Sequence, residues 1–156
     1  MPATGRSSIV DLMTTTPDTR PIDTAQAERL SALFGAVFET FDAGDLFAPD
    51  AFFDLNMPVW RFQLEGGDAF AAQLRSIARG TVRLDVLRTV ATASGFVAEH
   101  EERQVVADEG EVYSARRLWL CEVRDGRITD VVGYCSGEWD EALRARHAVE
   151  APMVRP

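Results

Sequence analysis

The spacing of hydrophobic residues predicts helices in the first half of the chain and strands in the second. One apolar stripe recurs at helical spacing and comprises Leu30, Leu33, Phe34, Val37, Phe38 and Phe41. Asp23 followed by Gln26 has the form of a capping box that begins this helix, and Gly44 fits a left-handed stop after it. A helix with one apolar face needs a surface to lie on.

The residues that follow predict a mixture of short elements. We expect a helical turn around 46–48, an extended segment over 51–57 whose exit is fixed by Pro58, and a break at Gly66 and Gly67. Asp68 can cap a second helix. That helix carries Phe70, Leu74 and Ile77 and ends at Gly80.

From Thr81 onward the period changes to two, which indicates strands. One strand starts at Thr81, and three more are predicted over 96–106, 112–123 and 128–134. Turn residues at 108–110 and at Asp125–Gly126 favour hairpin connections. Helices first and an antiparallel meander afterwards predict an α+β fold with the helices on one face of the sheet.

Composition and length predict one folded domain between two tails. The chain has 156 residues, which suits a single domain over 22–145. Residues 1–21 are rich in Ser, Thr and Pro without periodicity and are expected to form a flexible tail. A contact at a subunit interface through Ile9, Val10, Leu12 and Met13 is the alternative. Residues 146–156 are expected to form a C-terminal tail.

Charge and motif content exclude several classes of partner. The formal net charge of −9 argues against nucleic acid and against an anionic membrane surface. The two cysteines make no disulfide framework, which is typical of the reducing cytoplasm. A phosphate loop, a Ser–His–Asp set and metal-ligand spacing are all missing from the sequence, so we expect no cofactor and no metal.

Charged residues on otherwise apolar strands are the strongest sign of a site. Glu101 and Arg103 alternate along one strand, and Arg117 lies between Ala115 and Trp119 on the next. Ionised groups are rarely left against apolar surface unless they are paired or used. We therefore expect these charges to line a small-molecule pocket on a concave sheet.

Two further polar residues are expected to join this pocket. Asp54 and Asn56 are two apart on an extended segment, so their side chains leave on one side. Their convergence with Glu101, Arg103 and Arg117 predicts a catalytic set. Asp54 would be the general base, Asn56 would orient substrate or water, and the two arginines would bind an enolate, carboxylate or phenolate oxygen.

The register of the strands leaves alternatives open. A turn centred on Glu109 places Glu101 opposite Arg117, but a slip of one residue exchanges the two faces of the sheet. Glu101 and Arg117 would then form an ion pair on the outer face, and Asp54 would be a turn or edge carboxylate. His100, on the opposite face from Glu101, is expected at the surface or a dimer interface, and His147 in solvent.

The substrate-binding residues are expected to be mainly apolar: Val37, Phe38, Phe41, Trp60, Phe62, Leu74, Trp119, Tyr134, Cys135 and Trp139. Trp60 and Phe62 would cap the cavity from a loop after Pro58. Only one of Tyr134 and Cys135 can point inward, because neighbours on a strand alternate. Trp139 either closes the mouth of the pocket or packs on the first helix.

The order of these elements, with three short motifs, resembles the nuclear-transport-factor-two-like (NTF2-like) or SnoaL-like superfamily. The motifs are Phe41-Asp42-Ala43-Gly44-Asp45, Phe47-Ala48-Pro49-Asp50-Ala51-Phe52-Phe53 and Gly126-Arg127-Ile128. The resemblance covers Asp23 to Leu143. It implies a cone, in which a curved antiparallel sheet carries the N-terminal helices on its concave face.

Among the enzymes of that superfamily, limonene epoxide hydrolase is locally similar through Leu55-Asn56-Met57-Pro58. In that family an Asn at the place of Asn56, a Tyr two residues earlier and a late-strand Asp hold and activate a water. Asp54 stands at the Tyr position and Gly133 at that of the late Asp. The resemblance therefore carries over Asn56 but not the whole catalytic set.

The resemblance implies a cofactor-independent enzyme that acts by acid–base chemistry on a hydrophobic, oxygenated small molecule. Isomerisation, cyclisation, dehydration and epoxide opening all fit this description. The alternative is a non-catalytic ligand-binding or dimerisation module of the same fold. In either case the resemblance implies a homodimer that forms through the exposed face of the sheet. A pocket filled by Trp119 and the Phe side chains would favour the module.

Overall fold

The computed structural model describes residues 21–151 and residue 153. The elements of this part, in chain order, are α1 (Thr24–Thr40), β1 (Phe47–Met57), β2 (Trp60–Glu65), α2 (Gly67–Ile77), β3 (Thr81–Ala91), β4 (Gly95–Val106), β5 (Gly110–Arg124), β6 (Arg127–Cys135) and α3 (Glu141–Glu150). The predicted flexible tail before Pro21, with its apolar residues Ile9, Val10, Leu12 and Met13, lies outside the described residues.

The six strands of the described chain form one sheet in the order β2-β1-β6-β5-β4-β3. β1 runs parallel to β6, and every other neighbouring pair is antiparallel. The long return from β1 through α2 and four strands is what allows the parallel pair. The predicted α+β class is confirmed, and the parallel β1–β6 pair is a feature that the meander did not anticipate.

α1 begins where the sequence predicts and ends earlier. The Asp23 side chain accepts a hydrogen bond of 2.7 Å from the backbone N–H of Gln26, which caps the first turn. Phe41 adopts the left-handed conformation (φ 55°), and its N–H bonds to the carbonyl of Val37 at 2.8 Å. The stop predicted at Gly44 is therefore three residues late, because Phe41 supplies the left-handed turn.

Three short elements differ from their predictions. Residues 46–48, predicted as a helical turn, lead into and begin β1. Trp60 and Phe62, predicted in a loop, lie on β2, which pairs with β1 through Met57 and Trp60. The cap of α2 is Gly66 at φ 84°, and Asp68 lies in the first turn. A tight hairpin and a glycine cap leave weaker periodic signals than a long amphipathic helix.

The predicted C-terminal tail begins inside a helix. Asp140 caps α3 by accepting a bond of 2.7 Å from the N–H of Leu143, and the helix continues past residue 146. His147, expected in solvent, is half-buried against Trp139, with ring centroids 4.7 Å apart. The sequence did not predict this contact because α3 is mostly charged and has no apolar stripe.

Aromatic side chains fill the space between the helices and the sheet. The cluster comprises Phe34, Phe38, Phe47, Phe53, Phe70, Phe96 and Trp119, all buried. Phe53 stacks on Phe70 at 4.5 Å, and Phe34 meets Trp119 edge-on at 5.0 Å. Pairs of this kind stabilise a core beyond the area that they bury. The interior that the sequence assigned to a pocket is thus largely occupied by the protein's own rings.

His100 lies inside this core, and the prediction that it is exposed was wrong. Its Nε2 is 3.1 Å from the hydroxyl of Ser31, which joins β4 to α1. Burial, together with the nearby charge of Arg117, lowers the pKa of His100 to about 4. The imidazole is therefore neutral at pH 7.

We predict that His100 makes stability depend on pH between about 6.5 and 4. Below its usual pKa of about 6.5 the unfolded chain binds a proton that the folded chain does not. The free energy of unfolding should therefore fall with falling pH, in total by roughly 3 kcal/mol. Urea unfolding between pH 7.5 and 5 measures this slope.

The matched control is His147, the second histidine of the chain. The variant His100→Gln should flatten the slope between pH 6.5 and 5, whereas His147→Gln should keep it. A His100→Gln variant with the wild-type slope would contradict the assignment.

Candidate functional site

The register between β4 and β5 decides which charges face the interior. Glu101 lies opposite Arg116, and His100 lies opposite Arg117. The predicted pairing of Glu101 with Arg117 is therefore wrong by one residue. The turn is centred on Asp108, and an irregularity after Gln104 shifts the register again. The side chains of β4 that face inward are consequently those of the even-numbered positions.

Two of the predicted catalytic residues lie on the outer face of β4. The Arg103 guanidinium contacts the carboxylate of Glu101 on its own strand, and it lies 3.5 Å from Asp85 on β3. The hydrogen bond that Arg103 donates to Glu101 raises the pKa of Arg103. This ion-pair network belongs to the solvated face that the sequence analysis kept as its alternative.

Asp54 and Asn56 also lie on the outer face, because the buried residues of β1 are Phe53 and Leu55. Asp54 accepts two hydrogen bonds from Arg61 on β2, at 2.8 and 2.5 Å. These bonds hold the pKa of Asp54 below its usual range. The structure therefore does not bring Asp54 and Asn56 together with Arg117, and the predicted convergence is wrong.

Arg117 is the one member of the predicted catalytic set that faces the interior. Its Nε donates to Glu102 Oε2 at 2.5 Å, and the two side chains are only 5% and 3% exposed. The other oxygen of Glu102 accepts from Gln104 at 2.7 Å, and Arg117 donates to the hydroxyl of Tyr113 at 3.1 Å. We call Glu102, Gln104, Tyr113 and Arg117 the inner polar cluster.

The surroundings of Arg117 favour its charged form. Its guanidinium lies 5.8 Å from the ring centre of Phe38 and 6.0 Å from that of Trp119, distances at which a cation is attracted to a ring. Burial is the largest single effect and opposes the charge, but the attractions of Glu102, Tyr113 and Cys135 and the hydrogen bond to Glu102 together outweigh it, and the pKa of Arg117 is raised. Burial raises the pKa of Tyr113, so its hydroxyl stays protonated.

The inner polar cluster has donors that are not fully used by the described residues. A terminal nitrogen of Arg117 meets the sulfur of Met57 at 3.8 Å, and a thioether is a weak acceptor. Tyr113 accepts a bond from Arg117, so its own hydroxyl proton remains available to a further acceptor. A guanidinium and a phenol side by side suit an anionic oxygen.

A surface groove of about 410 Å³ lies on the outer face of the sheet, and Arg117 is the member of the inner polar cluster that lines it. Its lining is formed by Arg88, Glu99, Arg116, Arg117, Leu118, Tyr134, Cys135 and Ser136. Cys135 lies opposite Arg117 in the register, whereas Tyr134 is 51% exposed. The sequence left open which of Tyr134 and Cys135 points inward, and in the structure it is Cys135.

The remaining predicted substrate-binding residues are dispersed. Val37, Phe38, Leu74 and Trp119 are buried in the core, and Phe41 lies half-buried under the guanidinium of Arg75. Phe62 packs partly against the core, whereas Trp60 is 70% exposed. Trp139 contacts α3 through His147. A single cavity lined by all of these residues is therefore not formed.

Gly133 explains why a late-strand acid cannot stand here. A Cβ at this position would lie 2.4 Å from the Trp119 ring, which crosses β6 at that point. The indole occupies the space that an Asp side chain would need. The Trp119 ring can pack at this position only because the residue opposite it is a glycine.

Glu102, Gln104 and Tyr113 are the candidate residues that sequence reasoning missed. Glu102 and Gln104 on β4 and Tyr113 on β5 fit a period of two, but so do the residues on the opposite face of each strand. The register across the 107–109 turn decides which face points inward, and the sequence did not predict that register. The sequence placed Arg117 on the face that holds Ala115 and Trp119, and the observed register sets Ala115 opposite Glu102, which brings that carboxylate to the same face.

Two searches of the described residues concern metals and membranes. Within residues 21–151 and 153, no group of three or more His, Cys, Asp and Glu side chains is arranged to hold a metal ion. None of the helices in this part is long and apolar enough to cross a membrane.

Comparisons with known proteins give structural relatives. No protein-family model matches the chain, and no curated protein matches it. An NTF2-like protein of unknown function from Mesorhizobium loti is 26% identical, with a TM-score of 0.54, over 76% of this chain and 98% of that one. A LEH-like epoxide hydrolase from M. tuberculosis is 21% identical, with a TM-score of 0.57, over 83% of this chain and 98% of that one.

A third solved structure carries a small ligand. It is a protein with a ketosteroid isomerase-like fold from Catenulispora acidiphila in complex with trimethylamine. It is 13% identical to this chain, with a TM-score of 0.55, and the match covers 67% of this chain and 83% of that one. These matches agree with the element order and sheet described above, and the chain has the NTF2-like fold and belongs to the NTF2-like superfamily that its sequence resembles.

Proposed function

We propose that this chain binds a hydrophobic small molecule that carries a carboxylate, enolate or phenolate oxygen. The oxygen would lie on Arg117 and Tyr113, and the hydrophobic part in the groove beside Leu118 and Cys135. The proposal rests on the buried guanidinium of Arg117. One of its two terminal nitrogens meets only the thioether of Met57 among the described residues. A groove of about 410 Å³ is large enough for such a ligand.

The energetics of the cluster support a functional role. A buried ion pair adds little net stability, because the cost of removing both charges from water offsets their attraction. Apolar residues of similar size would fill the same space beside Phe38 and Trp119 at least as well. Retention of Glu102 and Arg117 is therefore easier to explain by a ligand than by folding.

The same site supports acid–base chemistry as the finer proposal. A ligand oxygen on Arg117 would compete with Glu102 for the guanidinium, which would free the carboxylate of Glu102 to contact the substrate. Glu102 would accept a proton from the substrate while Arg117 and Tyr113 hold the oxygen on which negative charge develops. Isomerisation or cyclisation of an oxygenated substrate needs this pair of functions.

Asp54 is not retained as the proposed base. Both of its oxygens are bonded to Arg61 on the outer face of the sheet. Glu101 and Arg103 are excluded from the proposed site for the same reason, since they pair with each other on that face. Of the residues first proposed for catalysis, Arg117 remains.

We predict that removing both charges of the pair abolishes binding and leaves the fold intact. The single variant Arg117→Met strands Glu102 in the core, which should cost about 3–5 kcal/mol of unfolding free energy. The double variant Arg117→Met/Glu102→Gln should recover most of that loss. Urea unfolding gives these energies, and titration with 2-naphthoate, followed by tryptophan fluorescence, gives the binding.

Two controls make the binding test specific. Arg124 is an exposed arginine near the end of the same strand and does not line the groove, so Arg124→Met should bind 2-naphthoate as wild type does. The amide 2-naphthamide has the same ring but no charge and should bind the wild type far more weakly. Equal binding of acid and amide, or unchanged binding by the double variant, would rule out an oxyanion site at Arg117.

A second candidate function, a homodimerisation module, is favoured by two other observations. The outer face of the sheet exposes a strip formed by Val90, Leu118, Leu120 and Tyr134, each between 41% and 52% exposed. The interior of the cone is filled by Trp119 and the Phe side chains. Apolar surface gathered on one face of a sheet is typical of an interface.

We predict that Leu120→Asp disrupts a dimer formed through this strip. A buried carboxylate at the centre of an apolar interface is not compensated, so the variant should sediment as a monomer where the wild type sediments as a dimer. Val59, 92% exposed in the turn between β1 and β2, supplies the control Val59→Asp. A wild type that remains monomeric at every accessible concentration would exclude the dimer.

A further inference from the structure

α1 has a second apolar flank that the sheet leaves uncovered. The helix packs chiefly on β3 and β4. Its other side presents Arg29, Leu33, Ala36 and Thr40, which are spaced three or four residues apart and share one face. Leu33 is 45% exposed there. A leucine on the side of a helix that faces away from the sheet does not contribute to packing on that sheet.

This flank forms one wall of a groove that we call the α1 groove. It consists of two adjoining concavities of about 500 and 410 Å³ that share Gly126 in the β5–β6 turn. The first begins at Pro21 and Ile22, and the second continues along α1 past Leu33 to Leu46. The floor of the second includes Leu30 and Val37, so this part of the groove offers mainly apolar contacts, whereas the first part has a mainly polar lining that includes Asp23 and Gln26.

We propose that residues 9–13 of the same chain, Ile9-Val10-Asp11-Leu12-Met13, pack in the α1 groove. This stretch contains four apolar residues within five positions, the densest apolar run of the first twenty. Pro21 lines one end of the groove, so a segment shortly before Pro21 in the sequence is within reach of the groove. An intramolecular segment is favoured over a separate partner because the chain itself delivers it there.

The length of the connection suits this arrangement. Seven residues lie between Met13 and Pro21, and the eight steps from one Cα to the next can span at most about 29 Å. The helix from Thr24 to Leu33 rises by about 14 Å, so the apolar segment can reach the flank of Leu33 with chain to spare. Packing there would hold α1 between the sheet and the segment, and α1 carries Phe38 over Arg117.

A double-mutant cycle in the full chain tests the contact. We expect Leu12→Ser to lower the urea midpoint of unfolding, and Leu33→Ser to lower it as well. The variant that carries both should lose clearly less than the sum, because each change removes the same contact. Serine at position 33 also lowers the stability of the helix itself. This effect is present in both the single and the double variant, so it cancels in the cycle.

The control pair replaces Leu33 with Ile77, which lies on α2 outside the α1 groove and is 47% exposed. Leu12→Ser and Ile77→Ser should add without coupling. A Leu12→Ser variant with the wild-type midpoint, or one that is additive with Leu33→Ser, would overturn the proposal. Coupling that disappears on dilution would also overturn it, since the segment would then come from a second copy.

Discussion

The buried ion pair between Glu102 and Arg117 is the constraint that orients the central strands. With the observed register, β4 and β5 bury one carboxylate and one guanidinium that bond to each other at 2.5 Å, together with a neutral histidine. A shift of one residue would instead bury two carboxylates and two guanidiniums, those of Glu99, Glu101, Arg103 and Arg116, against the aromatic core. Because removing charges from water is costly even when they are paired, the observed face, with one pair, is the one that the core accepts.

The aromatic core and the ion pair depend on each other. Phe38 and Trp119 flank the guanidinium of Arg117 and exclude water from it, which strengthens its attraction to Glu102. Trp119 takes its position because Gly133 on β6 offers no side chain at that point. The interior is consequently a packed core with one polar corner, and that corner lies beside the surface groove that contains Cys135.

The features that could be predicted from the sequence depend on local physics. The cap of α1 at Asp23 follows from side-chain chemistry, and the strands over 96–106 and 112–123 follow from a period of two. Placement of Glu101 and Asp54 required the register between strands, which short turns and an irregularity after Gln104 set at a distance. The inward position of Arg117 was predicted, but its partner Glu102 was not.

The filled interior changes what kind of chemistry this fold can support here. A substrate cannot occupy the centre of the cone without displacing rings such as Phe34 and Phe70, which stack on one another at 5.7 Å. The ligand that we propose would therefore bind outside this core, in the groove whose lining includes Arg117. A ligand that engages the guanidinium has to compete with Glu102, and that competition links binding to the movement of a proton. Binding and proton transfer would thus be coupled through a single pair of charges rather than through a set of residues spread around a cavity.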